Sequence, residues 1–497
     1  MNALTSKLSK FLSSELFFRL IVALLVLEAG WIAIGARYPQ AFDEQFHFGL
    51  IQLHAQHLWP LLTSQPPGTE SLGAYTRDPS FLYHYLFSFP YRLLTHITSN
   101  VTAQIIVLRL MNVALFAYAL VLIRKVLHYS SASRAMIHTS LLFFVLIPVV
   151  PMLAAEINYD NLFILLISLA FIWCLEFRAA KEFDIKLAIQ LVLLAIFTSM
   201  VKYAFLPVFM MIGLYIVYKF VRKRPRNPLK SLLAISRPLL VLYAILLVVG
   251  GGFFVERYGI NMLRYYSPIP ECDQVLTVDR CQSYGPWARN YRLVNLHNTL
   301  TKHQVFFYPF QWLCRMMQEM TFAISSGFNG NGGVDYWTAD SLLGAKVMAW
   351  TVLCVGAIAI ACTLRKLRKE PVLQLLVLLG GGYTVALYAQ NYRDYLHVTY
   401  IVAVHGRYLL PFVPMLLLAV LLACRHVLQY RPLIRLNNPQ FKLCVVVVAA
   451  ALFVSQGGGD VTYIVRSESR WFWPQNHTIQ HINADMQRAL KPLIIDD

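Results

Sequence analysis

Residues 16–35 read Leu-Phe-Phe-Arg-Leu-Ile-Val-Ala-Leu-Leu-Val-Leu-Glu-Ala-Gly-Trp-Ile-Ala-Ile-Gly, and residues 36–49 continue as Ala-Arg-Tyr-Pro-Gln-Ala-Phe-Asp-Glu-Gln-Phe-His-Phe-Gly. The first stretch is as long and as apolar as a helix that crosses a bilayer, which needs about 20 residues. It carries Arg19 near its start and Glu28 within it. The second stretch places the acidic pair Asp43-Glu44 a few residues beyond this helix. Together they predict a membrane protein with two carboxylates held at a membrane surface.

Apolar runs of the same kind recur along the chain. Of its 497 residues, 58% are hydrophobic and 14% are charged, which leaves too few polar groups to cover a soluble globule of this size. The predicted fold class is therefore an all-α polytopic membrane protein with about eleven transmembrane helices. The predicted spans are 16–35, 101–123, 136–154, 160–177, 187–200, 203–219, 234–255, 343–363, 371–390, 406–424 and 441–456.

The basic residues follow the topology of these spans. A net charge of +18 would suit nucleic acid, but the Lys and Arg clusters lie between spans, near 124–134, 219–237, 365–369 and 425–435. All of them lie on the cytoplasmic side if the amino terminus is inside, in agreement with the positive-inside rule. The pattern predicts a multi-pass plasma-membrane protein, of a bacterial inner membrane, with an extracytoplasmic carboxyl terminus. It favours membrane lipids, and not nucleic acid, as partners.

The same topology defines the domains. Residues 1–456 are predicted to form one transmembrane domain, and residues 457–497 an extracytoplasmic tail. Within the domain, segments 36–100 and 256–342 lie outside the membrane. The second of these holds Cys272 and Cys281, which can form a disulfide on that side or stay free. Its glycine-rich run at 327–333 indicates a turn or a lid, because the chain has no GxxxxGK[ST] phosphate-binding motif.

Segment 36–100 is too apolar and aromatic for a free loop. Apolar residues recur at helical spacing, at positions 42, 46, 50 and 53, which predicts a helix in the membrane interface. Asp43 and His47 then share the opposite side of this helix, one turn apart. A second interfacial helix is predicted with Asp78 as its cap and Pro79 in its first turn. We expect it to end near Pro90.

The charged residues of these segments suit a sugar transfer from a lipid phosphate. Such a reaction needs a carboxylate that takes a proton from the acceptor. It also needs cations that stabilise the phosphate leaving group. Asp43 or Glu44 is the candidate base, and Lys202 and Arg407 are the candidate cations. Both cations lie at the extracytoplasmic ends of predicted spans, where a charge is costly without a partner.

These features together resemble the GT-C superfamily, integral-membrane glycosyltransferases that use polyprenyl-phosphate-linked sugars. The nearest lineages are the protein O-mannosyltransferases and the lipid A aminoarabinose transferases. The resemblance covers roughly residues 15–425. It is carried by the acidic pair after the first span, a Pro-Tyr-aromatic interfacial helix, a lysine between two short spans, and the late motif Gly-Arg-Tyr-Leu-Leu-Pro at 406–411.

The resemblance implies a GT-C-like fold and an enzyme that transfers the sugar, with inversion, to an acceptor on the extracytoplasmic face. It implies that Asp43 is the catalytic base and that Glu44 positions either this base or the acceptor. Lys202, Arg407 and Tyr408 match the donor-phosphate site. The remaining candidates for substrate binding are His47, Arg77, Tyr83, His84, Asn158 and Asp160. The histidine pair His47 and His54 and the spacing before Pro79 depart from the aminoarabinose transferases.

Each of these residues also has a structural interpretation. Asp43 and Asp160 suit helix caps, and Arg77 suits an ion pair with Asp78 or Glu70. Lys202 and Arg407 suit cations at the membrane interface, and Tyr83 suits the aromatic belt.

Other functions remain open at this stage. A divalent metal ion near Asp43, Glu44 and His47 is possible, although the sequence does not require one. A glycolipid flippase or transporter is one rival function. A polysaccharide polymerase or ligase that uses residues of the 256–342 loop, such as Arg289, is another. An inactive assembly partner is a third.

Overall fold

The computed structural model describes residues 3–40, 42–223, 232–320, 326–328, 334–336, 343–429, 445–451, 464, 472–474 and 477–493. These residues form an α-helical membrane protein. Among them, seven helices are long and apolar enough to cross a membrane: Glu15–Gly35, Val101–Leu127, Tyr159–Ala179, Tyr203–Arg222, Arg237–Tyr265, Trp350–Leu367 and Pro371–Val398. Three shorter apolar helices are Arg134–Val145, Ile185–Val201 and Val413–Val427.

These helices occupy the places of all the predicted spans except 441–456, which lies largely outside the described residues. The prediction of a helical, membrane-embedded chain is thereby confirmed. The other α-helices of the described residues are Ala3–Leu12, Glu44–Ala55, Leu82–Ile97, Val149–Ala154, Cys272–Val275, Val278–Cys281, Gly285–Val294, Lys302–Met320 and His477–Leu490. Trp350–Leu367 belongs to a longer helix, Leu343–Leu367. The strands Ser326–Phe328 and Val334–Tyr336 pair as an antiparallel hairpin.

The helix bundle has two chemically different ends. At one end, Arg124 pairs with Glu15 at 2.5 Å and Lys125 pairs with Glu176 at 3.4 Å. These pairs join the start of one span to the ends of two others. At the other end, residues 36–44 meet residues 156–160, Lys202 and Arg407. The charged candidates predicted to lie outside the membrane therefore share one end of the bundle.

The second interfacial helix differs from its prediction in two ways. It spans Leu82–Ile97 with Pro90 inside it, so the predicted end near Pro90 is wrong. Proline removes one backbone hydrogen bond, but Arg92 ties the continuing helix to the first interfacial helix, because its Nε donates to the carbonyl of Ala55 at 2.8 Å. The predicted cap at Asp78 is also wrong. Its carboxylate accepts the Ser80 amide at 2.8 Å, ahead of the helix.

Segment 256–342 contains a disulfide, and the carboxyl-terminal tail contacts the first span. Cys272 and Cys281 form a disulfide, which settles the alternative left open by the sequence. Of the glycine-rich run at 327–333, residues 329–333 lie outside the described residues. The carboxyl-terminal tail reaches the first span, where the Trp473 amide donates to the Gly35 carbonyl at 3.2 Å. Ile479 on the tail helix packs against Gly35 as well.

Candidate functional site

Asp43 lies in a left-handed turn just before the first interfacial helix. Phe42 has φ of 55° and Asp43 has φ of 70°, a conformation that costs a side chain roughly 1–2 kcal/mol per residue. The Nδ2 group of Asn158 holds the turn by donating to the Phe42 carbonyl at 2.9 Å. The Asp43 side chain is 64% exposed and makes no capping hydrogen bond to the helix that follows. Asp43 thus occupies the N-cap position, as the structural interpretation expected, but its side chain does not cap the helix. The exposed carboxylate can therefore meet a substrate.

Glu44 lies beside Asp43 in the chain but in the opposite environment. Its side chain is fully buried, and both carboxylate oxygens bind the guanidinium of Arg109, each at 2.7 Å. The amide of Gln40 donates to the same carboxylate at 2.8 Å, and that of Ile157 at 3.3 Å. All of these contacts join separate segments of the chain. The geometry thus favours a positioning role for Glu44 over direct contact with substrate.

Arg109 is a residue that the sequence analysis did not single out. It is fully buried in the span Val101–Leu127. Besides Glu44, its guanidinium donates to the carbonyls of Ala36 at 2.5 Å and Ala33 at 3.3 Å. The ring of Trp473 from the tail lies 5.7 Å from its guanidinium carbon. A lone arginine inside an apolar span is costly without a partner. The position of Arg109 within an apolar run is therefore the signal from which it could have been identified.

The candidate phosphate-binding cations are linked through Asp160. Lys202 Nζ pairs with Asp160 Oδ1, and Arg407 Nε lies 4.0 Å from Asp160 Oδ2. Arg407 Nη2 continues to Asp43 Oδ2 at 3.1 Å. The side chains of Lys202, Asp160 and Arg407 are each no more than 5% exposed. The four residues form a continuous charged row that ends at the exposed Asp43 carboxylate. We call it the charged row.

Aromatic rings enclose this row. Lys202 Nζ lies 4.6 Å from the ring centre of Tyr408 and 4.8 Å from that of Tyr159. The guanidinium carbon of Arg407 lies 4.5 Å from the Phe42 ring. Cation–π contacts of this kind partly replace the water that the buried cations lose. Tyr408 thus lies beside both cations, because its ring centre is also 5.4 Å from the guanidinium carbon of Arg407.

Asp160 and Asn158 begin the helix Tyr159–Ala179. The Asn158 side chain caps this helix by accepting the Asp160 amide at 2.9 Å. The cap is therefore Asn158, and the alternative reading of Asp160 as the cap is wrong. Asp160 is left free to hold the two cations.

Of the four remaining candidates, His47 and His84 lie near the row, and Tyr83 and Arg77 make other contacts. His47 and His84 are buried and joined by a hydrogen bond of 2.9 Å. Tyr83 is fully buried and donates to Asn112 at 2.9 Å, so it does not belong to an exposed aromatic belt. Arg77 pairs with Glu256 at 3.2 Å, and not with Asp78 or Glu70. Substrate binding by Tyr83 and Arg77 stays a prediction, and the structure gives both residues protein partners.

Glu156 is a second residue that sequence reasoning missed. It is fully buried, and neither carboxyl oxygen has a hydrogen-bond partner among the residues that the structure describes. Burial, and then the nearby Glu44 charge, raise the pKa of Glu156 well above its ordinary value. Asp43, Glu44 and Asp160, in contrast, each pair with a cation: Arg407, Arg109 and Lys202 respectively.

Metal binding finds little support in this geometry. No group of three or more His, Cys, Asp or Glu side chains that could hold a metal ion occurs within the described residues. Arg109 occupies both oxygens of Glu44, and Arg407 contacts Asp43. The carboxylates of Asp43 and Glu44, which the sequence offered as metal ligands, are already paired with the guanidinium groups of Arg407 and Arg109.

No protein-family model, curated protein or solved structure matches this chain. What the site can do follows from its own residues. It presents one exposed carboxylate beside two enclosed cations. Nε and Nη1 of Arg407 have no hydrogen-bond partner in the part of the chain that the structure describes. Such a site can accept a proton and bind an anion at neighbouring positions.

Proposed function

We propose that this protein is a glycosyltransferase that moves a sugar from a polyprenyl-phosphate donor to an acceptor on the extracytoplasmic face of the membrane. The proposal includes a GT-C-like fold with about eleven spans. It places the protein in the plasma membrane, with the amino terminus in the cytoplasm and the carboxyl terminus outside. Inversion at the anomeric carbon belongs to the same proposal.

The observation that carries the proposal is the charged row. An exposed carboxylate, Asp43, lies 3.1 Å from a buried arginine, Arg407, which Asp160 connects to the buried Lys202. A buried cation attracts an anion more strongly than an exposed one, because little water screens its charge. The unpartnered nitrogens of Arg407 offer two donors to a phosphate. A base and an anion site therefore lie side by side.

The reaction follows from this arrangement. The donor phosphodiester binds Arg407 and Lys202 and competes with Asp43 for the guanidinium. Asp43 takes the proton from the acceptor's hydroxyl or amine group, and the acceptor atom forms a bond to the anomeric carbon. The bond from that carbon to the phosphate oxygen breaks, and the oxygen keeps the electron pair. Polyprenyl phosphate leaves with one more negative charge, which the two cations stabilise.

Substitution of Asp43 tests this function. We expect Asp43→Asn to slow transfer about 10²–10³-fold, by analogy with the loss of one positioned group that stabilises charge. Purified protein in lipid would be given a panel of polyprenyl-phosphate sugars, and sugar loss would be followed by mass spectrometry. Asp485→Asn, on an exposed side chain of the tail helix, is the matched control. Wild-type activity in Asp43→Asn at normal expression would rule out Asp43 as the base.

The same preparation separates the transporter from the enzyme. Labelled donor lipid that crosses the bilayer equally with wild type and Asp43→Asn, while no sugar is lost, would favour a flippase. Loss of activity on substitution of Arg289, with Asp43→Asn active, would favour the ligase. Addition of a chelator tests the metal ion. We expect activity to persist, since Arg407 already contacts Asp43.

A further inference from the structure

His47 lies beside the charged row, one helical turn after Asp43. Its amide donates to the Asp43 carbonyl at 3.1 Å. Its ring lies edge-on to Tyr159, with 4.5 Å between the ring centres, and Lys202 Nζ lies 4.8 Å from the same Tyr159 ring. His47 is 3% exposed. A buried imidazole thus shares a wall with the cation that is proposed to hold the donor phosphate.

A chain of hydrogen bonds determines which nitrogen of His47 carries the proton. His84 Nδ1 lies 3.1 Å from the Ser80 carbonyl, and a carbonyl can only accept, so this nitrogen carries the hydrogen. In a neutral His84 the other nitrogen, Nε2, is then an acceptor. It lies 2.9 Å from His47 Nδ1, which must donate to it. His47 Nε2 is consequently left with a free lone pair.

Both imidazoles are neutral in this arrangement. Burial lowers the pKa of His47 well below its ordinary value, and the charges of Arg407 and Lys202 lower it further. Burial also lowers the pKa of His84, with smaller effects of His47 and His54. The contact with His84 occupies Nδ1 of His47. Nε2 is therefore the ring nitrogen that remains to accept a hydrogen bond from a ligand.

We infer that His47 Nε2 accepts a hydrogen bond from one hydroxyl group of the transferred sugar and thereby selects the donor. The inference rests on the proposed function and adds the group that recognises the sugar. The sugar is bonded directly to the phosphate, so it lies next to the cations that bind this phosphate. A neutral acceptor in a buried position discriminates strongly, because a sugar without the hydroxyl leaves the lone pair unpaired.

Two substitutions at His47 separate the two nitrogens. The side chain of His47→Asn can still donate towards His84 from about the place of Nδ1, but it has no atom at Nε2. The oxygen of His47→Gln reaches about as far as Nε2 and can accept the same hydrogen bond. We expect His47→Asn to slow transfer about 10- to 100-fold, because the buried hydroxyl of the sugar is then left without its acceptor. His47→Gln should recover a large part of this loss.

The decisive experiment pairs these variants with monodeoxy analogues of the donor that wild type consumes. We expect one analogue to react about 10- to 100-fold more slowly with wild type, and to react no more slowly than the intact donor with His47→Asn. The inference would be overturned if, for every analogue, the missing hydroxyl slows His47→Asn by the same factor as it slows wild type. Equal rates of wild type and His47→Asn with the intact donor would overturn it as well. The same comparison is made with deoxy analogues of the acceptor. If His47→Asn removes the decrease in rate for a deoxy acceptor and not for a deoxy donor, the inference about the sugar is wrong.

The tautomer is tested without any turnover. Nitrogen-15 spectra of labelled wild type and His47→Gln assign the His47 signals, and we expect Nε2 without a proton. A proton on Nε2 would overturn the inference even if the protein transfers sugar. A wild type that consumes no donor, with Nε2 unprotonated, would instead refute the proposed function, and the inference that rests on it would fall for that reason.

Discussion

The contact between Glu44 and Arg109 joins two charged groups that are fully buried beside the site. Two parallel hydrogen bonds of 2.7 Å join fully buried groups, and further donors from residues 40 and 157 complete the carboxylate. Such a pair need not add net stability, because both charges lose their water. Breaking it is nevertheless costly, since one charge stays buried alone. The pair therefore fixes the register between the first interfacial helix and the span Val101–Leu127.

We predict that Glu44→Gln lowers the free energy of unfolding by about 3–5 kcal/mol, because Arg109 is then left uncompensated. Arg109→Gln should have a similar effect. The double variant should lose clearly less than the sum of the two single losses, since no buried charge remains. Unfolding in detergent, followed by circular dichroism, measures all three. Additive losses would show that the two residues do not act as a pair.

At the scale of residues, the sequence revealed some charged members of the site and missed others. Asp43, Lys202 and Arg407 stand out because charges near span ends are unusual, and the structure brings them together. Arg109 and Glu156 escaped notice. Arg109 lies within an apolar run, and only its partner Glu44, 65 positions away, explains it. Pairs of residues that are far apart in the sequence are brought together by the packing of the helices, and a single sequence does not show this packing.

At the scale of elements, the turn at 42–43 decides where the candidate base points. The periodicity of residues 42–53 placed Asp43 on the helix itself, but the helix begins at Glu44. The left-handed turn was not readable, because neither Phe42 nor Asp43 is a glycine. Asn158, which belongs to a different helix, stabilises the turn from outside. Tertiary contact, and not local propensity, thus sets this backbone.

Substitution of Asn158 tests the turn. In Asn158→Ser the hydroxyl still caps its helix, but the amide that holds the Phe42 carbonyl is lost. We predict a decrease in turnover of about 10- to 100-fold, because a shift of about 1 Å in a reacting group can cost this much. The thermal midpoint should change little. Asn100→Ser is the matched control, since Asn100 caps the span Val101–Leu127 away from the turn. Equal activity of the two variants would remove the turn from the mechanism.

At the scale of the whole molecule, the two ends of the bundle differ in charge and in chemistry. The spans alternate in direction, so the basic residues that the sequence placed between spans gather at one end, as the pairs of Arg124 and Lys125 show. The site and the tail share the other end, where Trp473 lies against Arg109. Apolar lengths and the charge pattern were sufficient to predict this division. The docking of the tail on the first span was not predictable, since it depends on a few contacts around Gly35.

The division into two ends makes the orientation testable. The positive-inside rule assigns the basic end to the cytoplasm, so the site and the tail helix should face outward. In a background that keeps only Cys272 and Cys281, we predict that Asp485→Cys reacts with a membrane-impermeant maleimide on intact cells. Lys125→Cys should react only after the membrane is permeabilised. Both side chains are more than half exposed, at 69% and 56%, so access to the reagent decides the result. Labelling of Lys125→Cys alone on intact cells would reverse the topology, and the charged row would then face the cytoplasm, where an extracytoplasmic acceptor could not reach Asp43.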